Sequence, residues 1–245
     1  MEGAALLPAS GRVVAISGAG RGLGAAIARR LHAEGFALAL GVRDPVRAAA
    51  HLPLPGGPAV TWHGYDATRP DTAASWIAAS VAAHGRLDGL VNNAGILRKL
   101  TFEEGSEDDL DAMWQVNVKG PFRAIQAALP HLRASGEGRL VNIASTDGKR
   151  IRDPSAPLGY AMTKHALMAL THAARFAGHA DGLRATALCP GAIDTDLIAG
   201  LVGATPAAGR LKPETVAEMV CLLLRLPNQA HVAELIVNTR LEATL

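Results

Sequence analysis

Short runs of apolar and β-branched residues alternate along the chain with longer stretches in which apolar residues recur every three or four positions. The first pattern predicts buried strands, and the second predicts helices that cover a sheet. The strand-like runs cover residues 12–17, 36–42, 59–65, 87–91, 139–144, 183–188 and 231–237. The helical stretches cover residues 23–33, 44–51, 71–83, a long segment after Ser106, 160–178 and 213–226. The alternation predicts an α/β fold, with a doubly wound parallel sheet flanked by helices on both faces.

Capping residues and helix breakers place some of the boundaries. Ser106 precedes three acidic residues, which is typical of a helix start, because its hydroxyl can cap free N–H groups and acids suit the positive end. Asp71 is predicted to cap the helix over residues 71–83 in the same way. The Gly120-Pro121 pair predicts an interruption in the long helix, since proline lacks the N–H group of a regular turn.

Composition limits the class of protein. With 245 residues, of which 49% are apolar and 19% charged, the chain fits one globular domain over residues 11–245, preceded by a flexible arm over residues 1–10. A net charge of +2 is too small to favour nucleic acid or a membrane surface as a partner. The two cysteines lack metal-like spacing, so we predict no metal site and a reduced, cytoplasmic location.

A glycine-rich segment, S-G-A-G-R-G-L-G at residues 17–24, joins the first predicted strand to the first predicted helix. Its glycine spacing is G-x-x-x-G-x-G, which differs from the common dinucleotide fingerprint. A turn of this kind lets phosphates approach backbone N–H groups at the positive end of a helix. We predict that it binds a nucleotide, and a plain glycine-rich turn is the alternative.

The end of the second strand bears on which dinucleotide binds. An acidic side chain there favours NAD through the ribose 2′-hydroxyl, whereas this strand ends in Val42 and Arg43. Arg21 in the glycine-rich segment is a second cation, and two arginines suit a 2′-phosphate. NADP(H) is therefore favoured over NAD(H). Asp44 keeps NAD(H) open, because its carboxylate could face the ribose instead.

Tyr160 and Lys164 lie four residues apart in Y-A-M-T-K, so on a helix they share one face. Free tyrosine titrates near ~10, whereas an acid or base that works at neutral pH wants a pKa nearer ~7. A cation ~4 Å away, at an effective dielectric constant of ~20, could supply much of that difference. We predict a lowered pKa and an acid–base role for Tyr160. The alternative is a solvated helix face.

Taken in chain order, these motifs make the sequence resemble the single-domain short-chain dehydrogenase/reductase family. The matching motifs are S-G-A-G-R-G-L-G, Asp66, N-N-A-G at residues 92–95, Asn117, Ser145, Y-A-M-T-K and P-G-A-I-D-T at residues 190–195. The resemblance covers nearly the whole chain. It implies a Rossmann-like fold and hydride transfer between a nicotinamide cofactor and a small carbonyl or secondary alcohol.

The resemblance also implies a role for each matching residue. Tyr160 would be the catalytic acid or base, and Lys164 would hold the nicotinamide ribose and lower the pKa of that tyrosine. Ser145 would orient the substrate oxygen, and the backbone of Asn117 would hold a water molecule in a proton relay. Subunits would associate as homodimers or homotetramers through the two long helices. The predicted cofactor-binding residues are Ser17, Gly18, Gly20, Arg21, Gly22, Leu23, Arg43, Asp66, Ala67, Asn93, Ala94, Gly95, Tyr160, Lys164, Pro190, Gly191, Ile193 and Thr195.

Three features depart from the family pattern. Ser17 replaces the usual threonine, which keeps the hydroxyl. The loop over residues 146–159 is enlarged, because Ser145 and Tyr160 lie 15 positions apart. The C-terminal segment lacks the common V-D-G-G sequence. An NAD(H)-dependent alcohol or hydroxy-acid dehydrogenase and a non-catalytic NADP-binding sensor remain as alternatives, whereas a serine hydrolase does not, because Ser145 lacks flanking glycines.

Two further groups of residues have open interpretations. Histidines 165, 172 and 179 recur every seven residues, and at ~1.5 Å per residue they lie too far apart to share one metal ion, which favours a packing or subunit-contact face. Five cations occupy two loops expected at the rim of the site, where they would attract an anionic substrate or form a solvated loop face. They are Arg98, Lys99, Lys149, Arg150 and Arg152.

Overall fold

One parallel sheet runs through the protein. The structure, a computed structural model, describes residues 5–151, 156–198 and 205–239. Its seven strands lie in the order β3-β2-β1-β4-β5-β6-β7, so the predicted doubly wound sheet is confirmed. The strands are β1 Val13–Ser17, β2 Ala37–Val42, β3 Val60–Gly64, β4 Gly89–Asn92, β5 Arg139–Ile143, β6 Arg184–Pro190 and β7 Glu234–Val237.

Helices cover both faces of the sheet. They are α1 Gly22–Glu34, α2 Pro45–His51, α3 Thr72–His84, α4 Glu107–Trp114, α5 Gly120–Ala134, α6 Leu158–Gly178 and α7 Pro213–Arg225. Along β1, Val14 and Ile16 pack into the cluster beneath α1 and α7, whereas Val13 and Ala15 pack beneath α3, α5 and α6. Because both faces of β1 are buried, its sequence is continuously apolar rather than alternating.

The chain reverses its winding beside β1. Strand β1 pairs in parallel with β2 on one side and with β4 on the other. The chain therefore builds the sheet in one direction from β1 to β3 and in the other from β4 to β7, and a crevice opens between β1 and β4 at their carboxyl ends. The fold thus creates a binding position before any particular side chain is considered.

Two of the predicted helix boundaries need correction. Asp71 precedes α3, but its carboxylate makes no capping hydrogen bond and instead pairs with Arg69 at 3.3 Å. The predicted break at Gly120-Pro121 lies earlier, in a π-helical turn over Gln115–Lys119. Pro121 itself sits in the first turn of α5, directly after this π-helical turn. The cap at Ser106 is confirmed, with Asp109 completing a reciprocal capping box.

The described part of the predicted N-terminal arm, residues 5–10, contacts the end of α7. The Leu7 amide donates to the Arg225 carbonyl at 2.6 Å, and Arg225 Nε donates back to the Leu7 carbonyl at 3.1 Å. Leu7 and Ala9 are both buried. No helix within the described residues is both long and apolar enough to cross a bilayer.

A buried arginine ties α7 to the amino ends of the strands. Arg139, 1% exposed at the start of β5, makes five hydrogen bonds, all to carbonyl or amide oxygens. Two of them reach the Leu226 carbonyl, at 3.1 and 2.6 Å, just past the negative end of α7. Burial, together with neighbouring Arg12 and Arg184, lowers the pKa of Arg139 to about 10.

Candidate active site

A cleft of about 1380 Å³ opens at the carboxyl ends of the central strands. Residues that follow β1, β2, β4, β5 and β6 all contribute to its walls. Every site residue predicted from the sequence lines this cleft except Ser17 and Asn117. The topology therefore brings together side chains that lie more than a hundred residues apart in the sequence.

The glycine-rich turn has a geometry that larger residues would disrupt. Gly18 and Gly22 have φ values of +67° and +52°, in the left-handed region that favours glycine. A Cβ atom on Gly24 would lie 2.2 Å from the Gly18 carbonyl oxygen, so α1 can approach the turn only through a glycine. Gly20 has ordinary φ and only side-chain atoms at 3.4 Å or more, so its lack of a side chain keeps the cleft open.

The start of α1 offers unpaired backbone donors to the cleft. Arg21 occupies the N-cap position in extended conformation, and no side chain caps the first turn. Leu23, buried in that turn, also lines the cleft. Uncapped N–H groups at a helix N-terminus form an anion-binding position. The glycine-rich turn therefore fits the pyrophosphate of a dinucleotide.

Ser17 lies behind the cleft wall and joins two of its loops. Its hydroxyl oxygen accepts hydrogen bonds from the backbone amides of Asn93 at 3.0 Å and Ala94 at 3.1 Å. The Asn93 side chain donates to the carbonyls of Ser17 and Gly18, at 3.0 and 3.2 Å. Because Ser17 is only 1% exposed, it supports the glycine-rich turn from behind rather than lining the cleft.

Arginines surround the cleft beyond the end of β2. Arg43 is exposed there, and Arg47, on the first turn of α2, lines the cleft beside it. Asp44 Oδ1 accepts the Arg47 backbone N–H at 3.0 Å and so caps α2. Arg21 lines the cleft while pairing with Asp196 at 3.2 Å, and both side chains are largely exposed. Sequence reasoning missed Arg47, which lies on the first turn of the helix that follows Arg43.

Asp66 and Ala67 form a fixed corner after β3. The Asp66 carboxylate accepts hydrogen bonds from the backbone amide and hydroxyl of Thr68, at 2.9 and 2.8 Å, and these bonds lower its pKa. The Ala67 carbonyl accepts from Arg123 at 3.1 Å. A Cβ atom on Gly120 would lie 2.7 Å from Ala67 Cβ, so α5 packs closely behind this corner.

Asn117 lies in the π-helical turn and is 1% exposed. Its side-chain amide pairs with both the N–H and the carbonyl of Ile96, each at 2.9 Å. The same amide donates to the Thr163 hydroxyl at 3.1 Å, and Thr163 in turn donates to the Tyr160 carbonyl at 2.8 Å. Asn117 therefore joins the loop after β4 to α6. The predicted water held by its backbone stays a prediction.

Ser145, Tyr160 and Lys164 come together on one wall of the cleft. All three are buried, at 8%, 9% and 5% exposure. The Ser145 hydroxyl oxygen accepts the backbone N–H of Asp147 at 3.0 Å, which leaves its own proton available to a ligand. Lys164 Nζ donates to the Ile143 carbonyl at 2.7 Å and lies 5.3 Å from the Tyr160 ring centroid.

The predicted lowering of the Tyr160 pKa is wrong in this structure. Burial, with the nearby Asp147 carboxylate, raises the pKa of Tyr160 above its usual value. Burial also lowers the pKa of Lys164 to about 8, and its ammonium group is directed at the Ile143 carbonyl. Desolvation disfavours both charged forms, and here it outweighs the attraction expected from sequence spacing. Tyr160 is therefore a neutral phenol at neutral pH.

The three histidines of the seven-residue repeat have separate partners. His165 contacts the Ala161 carbonyl at 2.9 Å, and His172 contacts Glu234 at 2.9 Å. The His179 ring faces that of His231, with centroids 6.0 Å apart. They do not converge on one point.

The cations expected at the rim do not face the cleft. Lys99 is paired with Glu104, and Lys149 is paired with Glu234. Neither these lysines nor Arg98 and Arg150 line the cleft. Arg152 lies outside the described residues. The four rim cations that the structure describes thus give an anionic substrate no support.

Residues 12–203 match the sequence profile described as short chain dehydrogenase. The chain belongs to this family. An agropine synthesis reductase of Rhizobium rhizogenes is 37% identical over 226 residues, which cover 90% of this chain and 50% of that protein. The chain therefore spans about half the length of the agropine synthesis reductases it matches.

Solved structures of the family share the whole fold. An alcohol dehydrogenase from the archaeon Thermococcus sibiricus, complexed with 5-hydroxy-NADP, has a TM-score of 0.84 and 34% identity, covering 94% of this chain and 99% of that one. A gluconate 5-dehydrogenase from Burkholderia cenocepacia, in complex with NADP and tartrate, has a TM-score of 0.83 and 30% identity, covering 94% of each chain. The family resemblance stated from the sequence is therefore confirmed.

Proposed function

We propose that this short-chain dehydrogenase transfers a hydride between NADP(H) and a carbonyl or secondary alcohol carbon, with Tyr160 as the acid or base. The observation that carries the proposal is the burial of Ser145, Tyr160 and Lys164 on one wall of a dinucleotide-sized cleft. These groups supply a proton donor, a hydroxyl that can bind the substrate oxygen and a cation.

The cofactor would occupy the cleft from the glycine-rich turn to the Tyr160 wall. Gly18, Gly20 and Gly22 with the uncapped start of α1 would hold the pyrophosphate, and Asp66 with Ala67 would border the adenine. Four residues at the end of β6 and just after it line the same cleft and would flank the nicotinamide: Pro190, Gly191, Ile193 and Thr195. When bound, the nicotinamide donates or accepts the hydride.

Tyr160 would be the proton donor in reduction. It is a neutral phenol at neutral pH, so it can give its proton to a carbonyl oxygen. The Ser145 hydroxyl would donate a second hydrogen bond to the same oxygen. Lys164 has two ammonium protons beyond the one directed at Ile143, and these would hold the nicotinamide ribose.

The preference for NADP(H) rests on the arginines near the end of β2. Arg43 and Arg47 lie at the adenosine end of the cleft with Arg21 opposite, and together they suit a 2′-phosphate. Asp44, the residue that kept NAD(H) open, uses one carboxylate oxygen to cap α2. The structures complexed with NADP and with 5-hydroxy-NADP belong to proteins similar to this one, which supports the same choice.

Replacing Tyr160 tests the chemistry. In Tyr160→Phe, kcat for NADPH-dependent reduction of a carbonyl panel should fall by about a thousandfold, because a general acid is lost. NADPH binding, followed by nicotinamide fluorescence, should stay within about twofold, since the ring remains. A Tyr160→Phe protein with full activity would refute the acid–base role. Cofactor binding by a wild-type protein that never turns over would favour the sensor alternative.

Replacing Arg43 tests the cofactor preference. Arg43→Ala should raise the KM for NADPH about tenfold and leave the KM for NADH unchanged, because only NADPH carries the 2′-phosphate. Arg29→Ala is the matched control, since Arg29 is exposed on α1 and does not line the cleft. Equal effects on both cofactors would favour the NAD(H) alternative.

Subunit association through α5 and α6 is part of the proposal. Phe122 on α5 is 51% exposed and Phe176 on α6 is 85% exposed, which suits a contact between copies. Light scattering should give the mass of a homodimer or homotetramer, and Phe176→Glu should shift it toward the monomer. A cytoplasmic location stays a proposal from the two buried, unpaired cysteines.

A further inference from the structure

A chain of polar contacts lies below the Tyr160 wall, outside the residues assigned to catalysis. Glu234, at the start of β7, pairs through Oε2 with Lys149 and through Oε1 with His172 Nε2 at 2.9 Å. His172 Nδ1 lies 3.2 Å from Arg175 Nη1. Because arginine can only donate, Nδ1 must accept, so the ring proton sits on Nε2 and is donated to Glu234.

The two partners of Glu234 belong to the two elements that carry the proposed catalytic groups. Lys149 ends the short turn that begins at Ser145, where the Gly148 amide donates to the Ser145 carbonyl at 2.9 Å. His172 lies on α6, the helix that carries Tyr160 and Lys164. Glu234 is thus a link between the Ser145 turn and the Tyr160 helix through a third element, β7.

The Ser145 turn has little freedom to move where it meets α6. A Cβ atom on Gly148 would lie 3.0 Å from the backbone carbonyl oxygen of Lys164. A shift of the turn along α6 would therefore change the separation of Ser145 from Tyr160 directly. Lys149 and Glu234 are half-buried, at 28% and 26% side-chain exposure, so their pairing is less weakened by solvent than a surface ion pair.

The charges of Glu234 and Lys149 also affect the surroundings of Ser145. Cys189, buried near the end of β6, lies beside the Ser145 backbone, and its pKa is raised mainly by burial and then by Glu234. The Lys149 hydrogen bond lowers the pKa of Glu234, so the carboxylate is charged at neutral pH. The linkage therefore holds a fixed charge pair next to the backbone of the proposed catalytic serine.

We propose that Glu234 is a positioning residue that fixes Ser145 relative to Tyr160 by joining Lys149 of the Ser145 turn to His172 of α6. It acts through these partners and contacts no reacting atom. The inference rests on the proposed roles of Ser145 and Tyr160 and adds a residue that the family motifs do not contain.

The test compares kcat with KM in three variants. Glu234→Gln and Lys149→Met should each lower kcat for carbonyl reduction about tenfold, because a small misplacement of a catalytic group costs rate more than binding. The KM for NADPH should stay within about twofold, since the cofactor contacts are elsewhere. Lys149→Arg should keep most of the wild-type kcat, because a guanidinium also pairs with a carboxylate.

Two further variants separate positioning from general destabilisation. The double variant Lys149→Met/Glu234→Gln should be no slower than either single variant, since both remove one linkage. Glu218→Gln is the matched control: it removes a partly exposed ion pair with Arg30, between α7 and α1, and should leave kcat unchanged. If Glu234→Gln does not fold, the comparison of Lys149→Met with Lys149→Arg decides the question alone.

Three results would overturn the inference. These are wild-type kcat in both single variants, losses that multiply in the double variant, or an equal loss of kcat in Glu218→Gln. Any of them with an inactive Tyr160→Phe protein would remove only the positioning role. A fully active Tyr160→Phe protein would instead remove the proposed function on which it rests.

Discussion

The two ends of β5 each hold a buried cation, and the two are bound very differently. At the amino end, Arg139 is 1% exposed and makes five hydrogen bonds to protein oxygens. At the carboxyl end, Lys164 is 5% exposed, and its ammonium group makes one hydrogen bond among the described residues, to Ile143. The N–H groups of Arg139 are therefore mostly hydrogen-bonded to the protein, whereas those of Lys164 are largely available to a ligand.

The difference separates a structural cation from a functional one. A buried charge is tolerated when hydrogen bonds replace its hydration, as the oxygens around Arg139 do. Lys164 has only one such bond among the described residues. Burial lowers its pKa to about 8 from an ordinary value of 10.5, and it lowers the pKa of Arg139 by a similar amount, so the two cations differ in their bonding and not in this shift. For Lys164 that depression corresponds to about 3 kcal/mol of unfavourable charge burial at neutral pH. This unfavourable burial occurs at a position where a bound ligand can supply hydrogen-bond acceptors to the Lys164 ammonium group.

The largest expected effect is the loss of activity on replacing Lys164. Lys164→Met should lower kcat/KM at least a thousandfold, about 4 kcal/mol, because both the ribose contact and the cation beside Tyr160 are lost. Its melting temperature should not fall, since methionine fills similar space without a buried charge. Steady-state kinetics and thermal unfolding of the same sample check both halves. A variant that is both active and less stable would contradict the comparison.

Replacing the opposite cation should give the reverse result. Arg139→Met should lower the free energy of unfolding by about 3 kcal/mol, because several buried carbonyl oxygens lose their donors. The kcat of the folded protein should stay within about twofold, since Arg139 lies at the far end of the sheet. Urea unfolding measures the first quantity, with Arg29→Met as an exposed control expected within about 0.5 kcal/mol of wild type. A large fall in kcat without loss of stability would break the distinction.

Much of this contrast was not readable from the sequence. Apolar runs and helical spacing predict the strands and most helices, because burial on a sheet demands those patterns. The glycine-rich turn and the Tyr160–Lys164 spacing predict the two ends of the cleft, because each motif is contained in a short stretch of sequence. The direction of the Tyr160 pKa depends on burial, which four residues of spacing do not determine, and so the prediction from spacing was wrong.

Features that depend on long-range contacts were missed or misplaced. The π-helical turn contains Asn117, whose side chain is fixed by Ile96 on another element, so nothing local marks its position. The link from Glu234 to Lys149 joins residues 85 positions apart. Local patterns predict elements, whereas the partners of polar side chains are set by the assembled fold.

The smallest expected effect is a difference in pH dependence between the two ends. The pKa of Lys164 is depressed in the folded protein, so between pH 8 and 10.5 the unfolded chain binds more protons and stability rises with pH. We call the difference in free energy of unfolding between a variant and the wild type its stability gap. For Lys164→Met this gap should therefore shrink by about 2 kcal/mol from pH 7.5 to 9.5. Tyr160 is present in both proteins, so its own titration largely cancels in the gap.

Arg139 provides the internal comparison for this pH effect. Its folded-state pKa is about 10, so its titration changes the stability of the protein only above about pH 10. The stability gap between Arg139→Met and wild type should therefore stay constant from pH 7.5 to 9.5. Urea unfolding at four pH values in that range measures both gaps. If the Lys164 gap is also flat, its ammonium group has acceptors that replace its hydration. The carboxyl end of β5 would then be as well bonded as the amino end, and the unused donors assigned to cofactor binding would not exist.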